Sequence, residues 1–154
     1  MPRVDLLGGI LKNVRAIIWR NEGDRKLFLI TQELSGNFTV PGGCKDLEDR
    51  DLECALHREL HEELGLEPKD YRVSRIAWEK EYEDLYRGLN SERAGKKTII
   101  YPFLVYMKEE VPFTVQAGEI KDAAWLDEGD ARRALDYSPH MKEVFEVGLK
   151  SIEA

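Results

Sequence analysis

The sequence of 154 residues has little cysteine and no long hydrophobic run. Its two cysteines, Cys44 and Cys54, show neither CxxC spacing nor a framework of pairs, which fits a reducing compartment. The N-terminal stretch MPRVDLLGGILKN has no long apolar core, so we expect neither a signal peptide nor a membrane span. These scarcities exclude disulfide-stabilised secreted domains and favour a cytoplasmic protein.

Acidic residues outnumber basic ones. The chain has 23 Lys and Arg against 30 Asp and Glu, a formal net charge of -7 and a pI near 5.1. This balance argues against a broad basic face for long nucleic acid. A small anionic substrate remains compatible with it, because a divalent metal can bridge acidic side chains and phosphate.

The order of sequence patterns predicts one domain over residues 1–154 that contains both strands and helices. Without repeats or a Pro/Gly/Ser linker, a chain of this length is one domain with a core. Strand patterns occupy 13–20, 26–32, 37–40, 98–108 and 123–127, with β-rich stretches in 71–86. Helices are predicted over 52–64, 128–135 and 138–154. The predicted fold class is α+β, a mixed α/β sandwich.

Local signals refine these bounds. PGG, residues 41–43, is expected to end strand character. Asp49 or Asp51 is predicted to cap the central helix, and Gly65 to end it. Pro102, inside the long apolar run, suggests an edge strand or a bulge.

A charged stretch, RELHEELG, falls inside the predicted central helix. On a helical wheel of about 100° per residue, the alanine and leucines of this helix share one apolar arc. Glu59 and Glu63 fall within that arc, and Glu62 lies at its margin, one turn from Arg58. A solvated helix face would place its acids opposite the arc. Because burying an unpaired carboxylate is costly, we interpret the three glutamates as a built site.

The chemistry of this cluster favours a hard cation. Carboxylates at i, i+3 and i+4 lie close together, and Mg²⁺ or Mn²⁺ relieves their mutual repulsion. No His or Cys stands at comparable spacing, which argues against zinc. Arg58 is placed to pair with Glu62. The upstream glycines of PGG allow a backbone carbonyl or amide to approach metal or phosphate, because glycine has no Cβ.

Together these residues resemble the Nudix box, written G-x5-E-x7-R-E-U-x-E-E-x-G-U with U an aliphatic residue. RELHEELGL, residues 58–66, matches the second half at every fixed position. The first half departs from the pattern. Counting from Gly43, the glutamate slot falls on Asp49, and counting back from the arginine it falls on Arg50. One residue is therefore inserted in the loop, and we expect Glu48 or Asp49 to substitute for the missing glutamate.

The resemblance implies a Nudix-like fold, a mixed sheet packed between helices, and a pyrophosphohydrolase that uses two or three Mg²⁺ or Mn²⁺ ions. The residues it assigns to metal binding are Gly43, Glu59, Glu62 and Glu63. Those it assigns to catalysis are Arg58, Glu59, Glu63 and Glu119. Glu119, six residues before Trp125, resembles a loop glutamate that several branches use as a metal ligand or catalytic base. If Glu63 is committed to metal, Glu59 or Glu119 is left to accept the proton.

The second half of the chain points to a substrate class. GKKTIIYPFLVY followed by E-x5-W-L looks most like the dinucleoside-polyphosphate and RNA 5′-pyrophosphohydrolase branches. The implied substrate is a nucleoside diphosphate linked to another group, with ADP-ribose and nucleotide sugars as alternatives. Candidate substrate contacts are Arg93, Lys96 and Lys97 for phosphate, and Tyr82 or Tyr101 for base stacking. We expect a small nucleotide partner, no membrane partner, and a monomer or homodimer.

Two other functional classes share this fold. A ligand-sensing Nudix domain without turnover usually loses acids of the box, whereas all three are present here. A protein like isopentenyl-diphosphate isomerase needs additional histidine ligands and a catalytic cysteine, and Cys44 is not obviously placed for that role. The sequence therefore favours the hydrolase and leaves its leaving group open.

Overall fold

A computed structural model describes residues 9–83 and 96–153. Within these ranges the chain forms eight strands and three α-helices. The strands are β1 (Ile10–Glu22), β2 (Arg25–Gln32), β3 (Phe38–Thr39), β4 (Gly42–Cys44), β5 (Arg72–Arg75), β6 (Lys80–Tyr82), β7 (Lys97–Tyr106) and β8 (Asp122–Asp127). The helices are α1 (Leu52–Leu64), α2 (Glu128–Ala134) and α3 (Pro139–Glu153), and a 3-10 turn covers Pro68–Asp70.

The described strands form one mixed sheet around a parallel central pair. Its order is β3-β2-β1-β7-β5, while β4 also pairs with β1, β6 with β7 and β8 with β2. β1 and β7 run parallel from Ile10 opposite Lys97 to Trp19 opposite Tyr106, and the other pairs are antiparallel. Because both faces of β7 are covered, its sequence is nearly continuously apolar.

Each face of the sheet carries its own core. On one face α1 packs on the sheet; this core includes Val14, Ala16, Ile18, Leu56, Leu60, Leu64, Phe103 and Val105. On the other face α2 and α3 pack; this core includes Ile17, Phe28, Ile100, Ala131, Val144, Phe145 and Leu149. The predicted α+β sandwich is confirmed. No helix in the described ranges is long and apolar enough to span a bilayer.

The structure corrects two local expectations. PGG does not end strand character, because Gly42–Cys44 form β4 and pair with Asn13–Arg15 of β1. Pro102 is neither on an edge strand nor at a bulge. It lies in β7 opposite Arg15, between the segments that pair with β5 and β6. Its carbonyl accepts from Ile76 N–H, so its missing N–H faces the gap between those two partners, where no ladder bond is lost.

Candidate metal and catalytic site

Helix α1 packs on the sheet with Glu59 and Glu63 on its packed side. Asp51 caps its N-terminus by accepting from Cys54 N–H at 2.8 Å. Gly65 ends it in the left-handed conformation at φ 66°. The capping prediction is thereby resolved in favour of Asp51. The packed leucines fix the rotation of α1, and that rotation turns Glu59 and Glu63 toward β4 with the apolar face.

Two glycines of β4 make room for this approach. A Cβ at Gly43 would lie 2.4 Å from Glu59 Oε1, closer than any side chain tolerates. A Cβ at Gly42, whose φ is 152°, would lie 1.9 Å from the carbonyl oxygen of Val14. The glycine pair therefore lets one strand press against β1 on one side and against a carboxylate on the other.

Glu63 and Glu59 are strongly desolvated. Glu63 is 6% exposed, and its Oε2 has no hydrogen-bond partner among the described residues. Burial, followed by the charge of Glu59, raises the pKa of Glu63 well above its ordinary value, although a backbone hydrogen bond from Gly42 opposes the shift. Burial also raises the pKa of Glu59 to about 7, against the opposing charge of Arg58. Glu62 is less buried, with 38% of its side chain exposed.

Arg58 connects the acidic cluster to the loop before α1. Its Nη1 donates to Glu59 Oε1 and to Glu62 Oε2, each at 3.1 Å. On the other side, Nη2 donates to the carbonyl of Cys44 at 3.0 Å. The expected pairing of Arg58 with Glu62 is present. Burial works against the charge of Arg58, but hydrogen bonds to Asp49 and nearby carboxylates hold its pKa above the ordinary value.

Asp49 makes the contacts that compensate for the missing first glutamate of the box. Arg58 Nε donates to Asp49 Oδ1 at 3.0 Å, and Nη2 donates to Asp49 Oδ2 at 2.9 Å, a two-pronged ion pair. Asp46 N–H also donates to Asp49 Oδ2 at 2.8 Å, which closes the inserted loop. Burial alone would raise the pKa of Asp49, yet these bonds from Arg58 and Asp46 lower it. Of the two candidates, Glu48 is exposed and Asp49 braces the site.

The acidic cluster opens into a cavity of about 620 Å³. Its lining includes Gly43, Arg58 and all three box glutamates, and Glu119 reaches it from the loop before β8. The predicted metal and catalytic residues are thus brought together around one space. The volume suits a nucleotide-sized ligand.

Sequence reasoning missed several residues of this cavity. The missed residues that line it are Arg15, Glu33, Leu34, Ser35, Thr39, Asp46 and Ile120. Arg15 carried a usable signal, because it is the one charge inside the apolar run NVRAIIW. The others are loop or strand-end residues whose positions depend on how β3 and β4 fold back on β1.

The donor set fits a hard divalent ion, although the side chains are arranged as a hydrogen-bonded cluster. Among residues 9–83 and 96–153, no three His, Cys, Asp or Glu side chains stand together at metal-binding geometry. The reason is local: Arg58 holds Glu59 and Glu62 by their oxygens. Glu63 Oε2 is buried and has no hydrogen-bond partner within the ranges that the structure describes, so it is the oxygen that a bound cation would satisfy. Oxygen-only donors of this kind suit Mg²⁺ or Mn²⁺.

The predicted substrate contacts lie elsewhere or outside the described residues. Tyr82 is buried in the α3 core, with its hydroxyl 2.5 Å from Glu143. Tyr101 is partly buried beneath the Arg75 guanidinium, which lies 5.2 Å from the ring centroid. Lys96 and Lys97 stand at the start of β7, and neither lines the cavity, nor does either tyrosine. Arg93 falls outside the described residues.

A family model described as the NUDIX domain matches residues 10–147. Among solved structures, C. elegans Ap4A hydrolase in a binary complex superposes with a TM-score of 0.74 at 19% identity, over 93% of this chain and 98% of that chain. The NUDIX domain of Shewanella oneidensis NrtR, complexed with ADP ribose, gives 0.71 at 17% identity, over 92% and 88%. The E. coli dihydroneopterin triphosphate pyrophosphohydrolase gives 0.70 at 15% identity, over 95% and 96%. At these identities the likenesses show a shared fold.

The contacts of Asp49 predict that its side chain stabilises the folded protein and that the side chain of Glu48 does not. Asp49→Ala removes the two-pronged partner of Arg58 and should lower the free energy of unfolding by about 2–4 kcal/mol. Glu48→Ala, the matched control one residue away, should change it by less than about 0.5 kcal/mol because that side chain is exposed. Urea titrations of both variants measure the difference. Equal effects would mean that Asp49 does not brace the site.

The raised pKa of Glu59 predicts a specific pH dependence in metal-free protein. A carboxyl with a raised pKa in the folded state stabilises the fold fully below its unfolded pKa near 4.5. That contribution is lost as pH rises through about 7. Glu59→Gln should therefore match wild type near pH 4 and gain on it with rising pH, by up to about 3 kcal/mol. Urea titrations across this range with a chelator test it, and a difference that stays constant with pH would contradict it.

Proposed function

The chain belongs to the Nudix family, and on that basis we propose that it is a divalent-metal-dependent pyrophosphohydrolase of a nucleoside diphosphate joined to a second group. It is a hydrolase that acts on pyrophosphate bonds. The single observation that supports the metal requirement is the buried Glu63 oxygen, which has no hydrogen-bond partner in the described part of the chain and lies beside the desolvated Glu59. Two carboxylates in such a place are expensive unless a cation joins them.

Each residue of the cluster has a proposed part. Glu59, Glu62, Glu63 and the carbonyl of Gly43 would hold two or three Mg²⁺ or Mn²⁺ ions. Bound there, such ions would neutralise phosphate charge and activate the attacking water. Arg58 positions Glu59 and Glu62 through its hydrogen bonds, and Asp49 holds Arg58 in turn. Glycine at position 43 keeps the carboxylate of Glu59 against the backbone.

The proton of the attacking water has two candidate acceptors, Glu59 and Glu119. Glu59 is packed against Gly43 and accepts a hydrogen bond from Arg58, which suits a fixed ligand. Glu119 lines the same cavity from an exposed loop and is not tied into the Arg58 network. We therefore assign the proton to Glu119. The water oxygen attacks phosphorus, the phosphoanhydride P–O bond breaks, and the proton passes to this carboxylate.

A dinucleoside polyphosphate is the substrate that we propose first. The stretch GKKTIIYPFLVY and the E-x5-W-L pattern support this branch. The solved structure with a TM-score of 0.74 is an Ap4A hydrolase, which agrees at the level of fold. ADP-ribose remains the second candidate, because the similar NrtR domain was solved with that ligand. Cys44 is buried, its backbone carbonyl is bound by Arg58, and it does not line the cavity, which speaks against isomerase chemistry.

We predict that the purified chain splits diadenosine tetraphosphate asymmetrically into AMP and ATP, and only with Mg²⁺ or Mn²⁺. Chromatography of the products and titration with a chelator test both parts. Glu63→Gln, which keeps side-chain volume and removes the charge, should be folded and nearly inactive. Full turnover after exhaustive chelation would contradict the metal requirement. A clear preference for ADP-ribose would move the protein to the second candidate, and binding without turnover would make it a ligand sensor.

The two acceptor candidates are separated by their effect on metal binding. Glu119→Gln should lower kcat by about 10²–10⁴-fold and leave the Mg²⁺-induced rise in Tm unchanged. Glu59→Gln should reduce both the turnover and that rise in Tm, since it removes a ligand. Differential scanning calorimetry beside a phosphate-release assay distinguishes them. If Glu119→Gln turns over normally, the proton goes elsewhere and Glu59 becomes the acceptor.

A further inference from the structure

Arg15 is a nearly buried guanidinium in the wall of the cavity. It lies in β1 between apolar neighbours and is 9% exposed. It lines the same space as Glu59 and Glu63. Arginine is almost never buried this deeply without a paired charge, so its presence here indicates a specific use.

Uncharged protein groups hold the side chain in one orientation. Arg15 Nε donates to Asn13 Oδ1 at 2.7 Å, and Nη1 donates to the carbonyl of Val40 at 2.7 Å and to Thr39 Oγ1 at 3.4 Å. Within the described ranges, the arginine that forms ion pairs with the carboxylates of this site is Arg58, and no ion pair is observed for Arg15. The hydrogen bonds of Arg15 use Nε and Nη1. Among the described residues no hydrogen bond engages Nη2, and Arg15 lines the cavity, so we infer that this nitrogen can donate to a ligand there.

The charge of Arg15 reaches the acidic wall. Burial raises the pKa of Glu63 and of Glu59, and the charge of Arg15 works in the opposite direction on both carboxyls. The backbone of β4 is also close to β1 here, since a Cβ on Gly42 would lie 2.9 Å from the Cα of Arg15. Because Arg15, Glu59 and Glu63 line one cavity, a ligand held on the two glutamates would be close to this guanidinium.

We propose that Arg15 binds the phosphate adjacent to the diphosphate held on the glutamates, and so selects nucleotides with three or more consecutive phosphates. The proposal rests on the proposed function, because the glutamates must hold the scissile diphosphate. Guanidinium donors match phosphate oxygens in geometry and charge. Because the acceptors of Arg15 among the described residues are all neutral, no ion pair with them must break before a phosphate arrives. A ligand without negative charge at that place would give the guanidinium no charged acceptor within hydrogen-bonding distance.

The test compares two ligands that differ by one phosphate. Methylene-bridged analogues of ADP and ATP, which resist hydrolysis, are titrated calorimetrically into the full chain at one fixed Mg²⁺ concentration. Wild type should bind the triphosphate analogue more tightly, by about 10- to 100-fold, the value of one hydrogen bond between charged groups. In Arg15→Gln the triphosphate analogue should lose this advantage, while the affinity for the diphosphate analogue stays nearly unchanged. Arg15→Lys, which keeps the charge and loses the fork, should retain part of the ratio.

Arg20→Gln is the matched control. Arg20 is in the same strand and similarly buried, at 8% exposed, but it pairs with Glu22 at 3.2 Å and does not line the cavity. The Arg20→Gln variant should have a lower Tm and the same ratio of affinities for the two analogues as wild type. The proposal is overturned if wild type binds both analogues equally. It is also overturned if Arg15→Gln weakens both equally with a fall in Tm, which would make Arg15 a brace for β1, or if Arg20→Gln reproduces the change.

The same experiment separates this inference from the proposed function. If wild type hydrolyses diadenosine tetraphosphate with Mg²⁺ but the ligand ratio is insensitive to Arg15, only the role of Arg15 fails. If wild type neither binds the analogues nor hydrolyses the tetraphosphate, both the proposed function and the role of Arg15 are wrong.

Discussion

The desolvation of two carboxylates against a glycine strand is the constraint on which the site depends. Glu59 and Glu63 project from the packed side of α1, beside buried leucines, and reach solvent only through the cavity that they line. They fit only because β4 has no side chain at Gly43. The cost of this arrangement is visible in the raised pKa of both carboxyls. Two desolvated carboxylates side by side favour a bound cation, because the cation offsets their desolvation and their mutual repulsion. Charge fixed in place before the reaction is the kind of electrostatic stabilisation that catalysis on phosphates uses.

The surrounding fold keeps that geometry rigid. β1 contacts β4 on one side and β7 on the other, so the glycine strand is attached to the centre of the sheet. α1 is capped at both ends and packed along one face, which fixes its rotation. Arg58 then joins the helix to the preceding loop through Asp49 and the carbonyl of Cys44. These contacts fix Glu59, Glu63 and Arg58 relative to the sheet.

The one-residue insertion before α1 shows how such a site tolerates change. The family pattern places a glutamate where this chain has no glutamate in register. The loop instead closes on itself, with Asp46 N–H donating to Asp49, and presents the shorter carboxylate to Arg58. Asp49 forms this ion pair although it stands one residue farther from Arg58 than the glutamate of the family pattern. A sequence pattern tests whether a glutamate stands at a fixed position. The ion pair needs only a carboxylate within hydrogen-bonding distance of the Arg58 guanidinium.

The sequence by itself determined the fold class, the bounds of α1 and the identity of the acidic cluster. Those features follow from local periodicity: a 3.6-residue repeat places Glu59 and Glu63 among leucines wherever the helix packs. Only the tertiary structure decided which loop acid meets Arg58, that Gly42–Cys44 form a strand, and that Arg15 lines the cavity. It also placed Tyr82 in the α3 core. These outcomes depend on contacts between residues distant in the chain, such as Arg15 with Val40 and Tyr82 with Glu143, and local periodicity carries no information about such pairings.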